Sequence, residues 1–257
     1  MTTIAQKDRQ TVSDVLAREL VANVELLLFT QASAQSTHGT SERPTGDETR
    51  ELLEDLASLS ERLRVITHDV GLDPARATEY NVRAVPTVII RRTLSADAAL
   101  TPSGDDADCG ALVAEDPRSA WAMLEGASTV RFLGQPNGYE FSTLVADIVD
   151  ISRGGTSLKQ ATRDAVRAVN VPVHVQVFVT PNCPYCPPAA RIAHQFAMEN
   201  PLILAEVIEA NEFHDLSEQY GVRTVPKTVI NDRLQFVGSL SEAKMLEAVL
   251  EAVRRAG

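Results

Sequence analysis

Two tandem copies of one α/β unit, each a mixed four- to five-stranded sheet flanked by helices, are the fold class this sequence predicts. Three observations predict it. The string Glu79-Tyr80-Asn81-Val82-Arg83-Ala84-Val85-Pro86 returns as Gln219-Tyr220-Gly221-Val222-Arg223-Thr224-Val225-Pro226. Upstream of each copy lies a β-like run followed by an acidic, helix-like decade: residues 63–69 before 73–80, and residues 203–209 before 212–220. Further upstream, the apolar run at residues 24–30 matches that at 173–180. A solenoid shows at least three copies, so the repeat is a duplicated supersecondary unit.

Each copy reads as helix, strand, helix, strand, helix, Val-Pro, strand, strand, helix. The leading helix of the first spans residues 4–22, with Ile4, Val12, Val15, Leu16, Leu20 and Val21 at helical spacing. Residues 37–46, rich in Ser, Thr, Gly and Pro, read as a loop. An acidic insertion at about 94–129 carries Asp105, Asp106, Asp108, Cys109 and Trp121. Flanking aspartates raise the pKa of Cys109 and make it a bystander. The stretch Ser152-Arg153-Gly154-Gly155-Thr156 has the composition of a joint, so the units divide as 1–153 and 154–257. The second unit opens with a helix at 158–169, capped by Thr156 or Ser157, and closes with an amphipathic helix at 241–255.

The chemistry is concentrated in Cys183-Pro184-Tyr185-Cys186, between the strand-like run ending at Val179 and a helix-like segment from residue 184 to about 200. Two thiols three residues apart interconvert between dithiol and disulfide, and a helix N-terminus stabilises the first as a thiolate. Thr224-Val225-Pro226 again enters a strand-like run. Aligning Thr30 with Thr180 sets Ser33 against Cys183 and Ser36 against Cys186, so the first unit keeps the fold and lacks the thiols. Pro188, inside the helix-like segment, should forfeit a backbone bond to the Pro184 carbonyl and distort it locally. A zinc site needs four ligands, and there is no second Cys-x-x-Cys and no His-x3-His; His174, His194 and His214 are scattered. No metal or cofactor is expected, and Gly154-Gly155 makes no dinucleotide turn. His194 reads as a packing residue, and Lys227 as a possible source of positive potential near the thiolate.

The outer limits agree. At 257 residues the chain is comfortable for two units, and 44% apolar residues supply a full core. A net charge of −11 argues against nucleic acid or an anionic membrane as partner. No apolar cluster approaches the ~18 residues of a bilayer span, and the N-terminus has no signal-like apolar region. Three cysteines, two of them in one motif, leave no disulfide framework, and the expected compartment is the cytoplasm.

With Cys183-Pro184-Tyr185-Cys186-Pro187, Ile208-Glu209-Ala210-Asn211-Glu212-Phe213, Tyr220 to Pro226, and Val130 to Phe141 in hand, the chain resembles the protein disulfide oxidoreductases of bacteria and archaea. These are glutaredoxin-like proteins of two thioredoxin-fold units, and the same arrangement forms the N-terminal domain of the alkyl hydroperoxide reductase flavoprotein. The resemblance covers nearly the whole length. Many relatives carry Cys-x-x-Cys in both units; this chain, with one, is like the flavoprotein domain and departs from isomerases with two sites. The resemblance implies a cis Val225-Pro226 peptide beside the dithiol, where Val225 pairs with an extended substrate strand and Tyr185 borders it. It implies that Cys183 attacks a protein disulfide and Cys186 resolves the mixed disulfide. Ordinary thioredoxins place a buried aspartate six residues before the first cysteine, where this chain has Val177. The Gly-x-Glu-Phe pattern offers Glu140 instead, against the alternative that it serves only the dipole of its own helix.

Three functions stay open: a protein disulfide oxidoreductase recharged by a thioredoxin reductase, a dedicated electron shuttle to a peroxiredoxin, and a client-binding module or holdase. A glutathione-dependent glutaredoxin fits less well, since Val237-Gly238-Ser239-Leu240 replaces its Gly-Gly pair.

Overall fold

The structure, a computed structural model, describes residues 4–31, 46–93 and 129–256. Its elements are α1 (Gln6–Glu19), β1 (Val24–Thr30), α2 (Gly46–Ala57), β2 (Leu63–Asp69), α3 (Pro74–Glu79), β3 (Thr87–Arg92), β4 (Val130–Leu133) and α4 (Glu140–Arg153). There follow α5 (Gln160–Arg167), β5 (Val173–Val179), α6 (Cys186–Glu199), β6 (Ile203–Glu209), α7 (His214–Gln219), β7 (Lys227–Ile230), β8 (Leu234–Val237) and α8 (Glu242–Ala256). The order of helices and strands occurs twice, four strands to a copy. Cys109, Trp121, and Ser33 and Ser36 of the first unit's loop lie outside the described residues, as does the insertion up to residue 128.

The repeated string has a local physical meaning. α3 and α7 end at Tyr80 and Tyr220, and the next residue, Asn81 or Gly221, turns left-handed at φ 47 or 59. Each tyrosine ring packs on a central-strand phenylalanine, Tyr80 on Phe29 at 5.5 Å and Tyr220 on Phe178 at 5.6 Å. Both Val-Pro peptides, at 85–86 and 225–226, are cis. These contacts correct the alignment of the copies. Phe178 is the counterpart of Phe29, and Val173 that of Val24, one residue away from the match made on Thr30 and Thr180. Counting on without a gap, Cys183 and Cys186 fall on Ala34 and Thr37, so the first unit still has no thiol at either place.

The eight strands make one sheet in the order β2-β1-β3-β4-β6-β5-β7-β8. The copies meet where β4 runs parallel to β6, with Val130 opposite Ala205 and Leu133 opposite Ile208. Alternation along the strands divides two faces. Leu26 and Leu28, Val88 and Ile90, Val175 and Val177, and Ala205 and Val207 enter the main core beneath the long helices. Leu27, Phe29 and Ile89, and Phe178, Ile208 and Val229, form two smaller clusters near α3 and α7. Among the described residues no helix is long and apolar enough to cross a membrane.

Helix ends differ from the sequence reading by a few residues. α5 begins after Lys159, which makes no side-chain cap, rather than after Thr156 or Ser157. The shift at α6 has consequences: it begins at Cys186, not at residue 184. Pro187 and Pro188 then fall in the first turn, where their missing N–H groups are unpaired in any helix, so the expected distortion has no cause.

The joint between β4 and α4 reaches across to the second unit. Gly138 is left-handed at φ +58, and a Cβ there would lie 2.2 Å from the Pro181 carbonyl oxygen. The next residue, Tyr139, donates its N–H to that oxygen at 2.9 Å. A side chain at 138 must push the two units apart. Gly138→Ala is expected to lower the urea unfolding free energy by about 1–3 kcal/mol; a change below ~0.5 kcal/mol contradicts this account of the joint.

Candidate active site

The loop after β5 carries both thiols at its end, and both are free. The Cys183 N–H donates to the Thr180 carbonyl at 3.1 Å, and the Cys186 N–H to the Cys183 carbonyl at 3.3 Å, so the chain winds one turn before α6 starts. Cys183 therefore precedes the helix instead of opening it. It keeps 9% of its surface, against none for Cys186. The Cys183 thiol donates to the Val225 carbonyl at 3.8 Å, just before the cis peptide to Pro226. Tyr185 stands 72% exposed at the rim. A cleft is lined by Thr180, Asn211, His214, Arg223, Thr224 and Val225.

Cys186 is held as a thiol. Burial pushes its proton affinity well above the usual range, contact with the Cys183 sulfur adds to this, and so does the charge of Glu140. A backbone hydrogen bond from Thr180 works the other way, and outweighs the charge of Glu140. The buried sulfur thus needs a proton acceptor before it can act as a nucleophile.

Glu140, the first residue of α4, is the carboxyl group whose charge reaches Cys186. It is 2% exposed, and neither carboxylate oxygen has a hydrogen-bond partner. Burial pushes its pKa up to about 7; the Thr143 hydroxyl and the His194 ring pull it back in part, and Asp147 raises it. A small cavity at Glu140 is bounded by Phe132, Pro136, Val179 and Pro181. Glu140 opens α4, as the helix-dipole reading has it, and its charge also acts on Cys186.

Several residues fall elsewhere. Lys227 donates its ammonium to the Tyr220 and Gly221 carbonyls, the latter at 3.2 Å, and so ties the end of α7 to β7. His174 bonds Glu206 at 2.8 Å, and exposed His214 lies 4.0 Å from Glu218. Sequence reasoning missed Asp147, which is fully buried on α4 and bonded to His194 and Arg191 of α6. The available signal was its place among Leu144, Ile148 and Ile151, at a core-facing position where a carboxylate requires partners.

The chain is similar to several known proteins. The "thioredoxin domain" family profile matches residues 173–251. Thioredoxin of Methanocaldococcus jannaschii is 33% identical over 78 residues, covering 30% of this chain and 92% of that protein. The alkyl hydroperoxide reductase AhpF of Staphylococcus epidermidis is 28% identical over 102 residues, 40% of this chain; the chain spans 20% of that relative's length. Among solved structures, a protein disulfide oxidoreductase from Aeropyrum pernix K1 superposes with TM-score 0.76 at 28% identity, over 98% of this chain and 94% of that one. The NTD_N/C domain of the Enterococcus faecalis alkyl hydroperoxide reductase gives 0.74 at 21% identity, over 96% and 99%, a likeness of fold. The molecule is a thiol–disulfide oxidoreductase built on tandem thioredoxin folds. The chain belongs to the thioredoxin family.

Glu140 also makes stability depend on pH. Its folded pKa of about 7 exceeds the ordinary 4.5, so the folded state binds the extra proton. That contribution is full below pH ~4.5 and is lost as pH rises through 7. Glu140→Gln is expected to gain on the native chain by up to about 3 kcal/mol between pH 4.5 and 8, in urea melts at both ends. Parallel curves across that range contradict the shift.

Proposed function

We propose that this chain reduces disulfides in protein clients, with Cys183 as the attacking thiol and Cys186 as the resolving one. The observation that carries the reading is the difference between the two sulfurs: Cys183 keeps 9% of its surface and bonds the carbonyl of Val225, a residue that lines a cleft, while Cys186 keeps none and burial holds its proton tightly. An extended client segment lies along the cleft and pairs with the backbone at Val225, with Pro226 behind it and Tyr185 at the rim. The Cys183 thiolate attacks one client sulfur; a bond forms between them, and the second client sulfur leaves and takes a proton. Cys186 then passes its proton to Glu140 and attacks Cys183. The mixed disulfide breaks, the first client sulfur leaves, and the Cys183–Cys186 disulfide holds the two electrons' worth of oxidation.

Residues 1–153 form the unit without a Cys-x-x-Cys on this reading, and residues 154–257 the redox unit. Supporting that boundary, α4 ends at Arg153 and Gly154 caps it in left-handed conformation. Re-reduction requires a separate donor, for which a thioredoxin-reductase-type flavoprotein in the cytoplasm is the proposed class. The similarity to the staphylococcal alkyl hydroperoxide reductase favours a second reading, that of a dedicated shuttle from such a flavoprotein to a peroxiredoxin.

Insulin reduction under dithiothreitol separates the two. The general reductase predicts rapid precipitation that Cys183→Ser abolishes, with Cys186→Ser accumulating a mixed disulfide. Activity at background, with the Cys183–Cys186 bond shown to be reducible, contradicts the general reductase and leaves the shuttle.

For the base, the rate of client release from the mixed disulfide should rise with pH through a midpoint near 7, set by Glu140. Glu140→Gln should remove that limb and slow release about 10- to 100-fold at pH 7.5. A limb that survives Glu140→Gln contradicts the assignment.

A further inference from the structure

The face of the sheet that carries α3 and α7 holds a groove of about 1100 Å³, above the ~300–1,000 Å³ of a small-molecule pocket. It lies over the seam between the units. Arg131 of β4 stands opposite Glu206 of β6, and Glu206 opposite Gln176 of β5, and all three line the groove. The first unit also lines it with Ala84, Val85 and Pro86, and the second with residues 211–216 and Tyr220. In the repeat, Ala84-Val85-Pro86 is the counterpart of Thr224-Val225-Pro226, and Val225 accepts the Cys183 thiol. Asn211 and His214 line both this groove and the cleft at Val225, so the two adjoin at the start of α7.

Several polar groups of the groove are satisfied within the protein. His174 Nε2 lies 2.8 Å from Glu206, and the Tyr220 hydroxyl donates to Asp232. Arg131, 2% exposed, gives its two terminal nitrogens to the Asn81 and Tyr80 carbonyls at 3.1 and 2.7 Å. Two atoms of the floor are left over. Arg131 Nε, a donor, and Oε1 of Gln176, an acceptor on a side chain only 5% exposed, are buried with no partner. Unpaired buried polar atoms are exceptions in folded proteins, and here they mark where a ligand belongs. Glu212 adds another acceptor: one oxygen takes the Gln135 N–H at 2.8 Å, and the other has no partner. The backbones at Arg131 and Gln176 flank β6, two strand spacings or about 10 Å apart, which is the length of roughly three residues of extended chain. An extended peptide across these strands offers a carbonyl to Arg131 Nε and an N–H to Gln176 Oε1. A phosphate or free carboxylate offers acceptors only, and it would face Glu206, Glu212, Asp215 and Asp232. The matching ligand is therefore an uncharged, extended polypeptide.

We propose that this groove is a second client-binding surface. An uncharged, extended segment flanking the client disulfide runs on from the thiol cleft past Asn211 and His214, and lies across β4, β6 and β5 against Arg131, Gln176 and the Val85-Pro86 turn. This rests on the reductase reading, which supplies the client. The first unit, without a Cys-x-x-Cys, then serves to hold client chain while the second unit exchanges the thiols.

The probe is the insulin B chain with its cysteines carbamidomethylated, a peptide that cannot exchange thiols. Titrated into the intact, reduced chain, it should move the Gln176 side-chain amide and the Val85 backbone signals saturably in proton–nitrogen NMR spectra. Two variants test the groove: Gln176→Leu, which removes the unpaired amide, and Gln219→Trp, which sets an indole into the groove from an exposed position on α7. Each should weaken peptide binding roughly three- to tenfold, and raise KM for insulin relative to KM for hydroxyethyl disulfide by a similar factor. Shifts confined to Val225 and its neighbours, with Gln176 and Val85 unmoved, overturn the groove. Equal losses toward insulin and hydroxyethyl disulfide in both variants overturn it too. Should Gln176→Leu fail to fold, Gln219→Trp decides alone. Groove shifts in a native chain that reduces no insulin overturn the reductase reading and uphold the groove as a peptide site.

Discussion

The parallel pairing of β4 with β6 is the constraint on which the rest of the molecule depends. Four backbone partners, Val130 to Leu133 against Ala205 to Ile208, turn two four-stranded units into one sheet. Once they pair, α4 of the first unit and α6 of the second lie side by side on the same face, and their buried faces must satisfy each other. That contact carries Glu140 toward Cys186 and Asp147 onto His194. Val177, six residues before Cys183, is fully buried and apolar, and on the proposed reading the other unit offers Glu140 as proton acceptor.

Burying an unpaired carboxyl is unfavourable, and the cost is of a kind that folds tolerate where chemistry requires it. It is partly offset by the neighbouring Thr143 and His194, and by the charge balance of Asp147, Arg191 and Asp150 further along the interface. The other face of the sheet is built differently. Among the described residues it has only the two short helices α3 and α7, and near its centre Arg131 stands opposite Glu206 in register, with Gln176 beyond. The thiol side is thus mostly hydrocarbon crossed by one polar stripe, which suits a step that moves a proton between buried groups.

Much of this was legible in the chain. The order of elements followed from hydrophobic periodicity, and the duplication from a string whose tyrosine and Val-Pro recur for the same packing reason in both copies. The dithiol stood out because its spacing and setting have few other uses. What was not legible depends on contacts between distant segments. No local pattern marks β4 and β6 as partners, so the fused sheet was invisible. A one-residue slip in the repeat followed from matching Thr30 to Thr180, when the structural equivalence is between phenylalanines that share a tyrosine. The start of α6 was misjudged because Pro184 suits a first helical turn as well as a preceding one. His194 was read as a packing residue, but Asp147, its partner, was passed over because a lone buried carboxylate reads as an interruption of an apolar face.

The central claim is that the first unit lends the second a carboxyl group poised near neutrality. Its most direct test is a carbon-13 titration of the Glu140 side-chain carboxyl in the intact, reduced chain. The account predicts a midpoint of about 7. A midpoint near 4.5, the ordinary value, would mean that Glu140 is solvated or paired in solution and is no acceptor for the Cys186 proton.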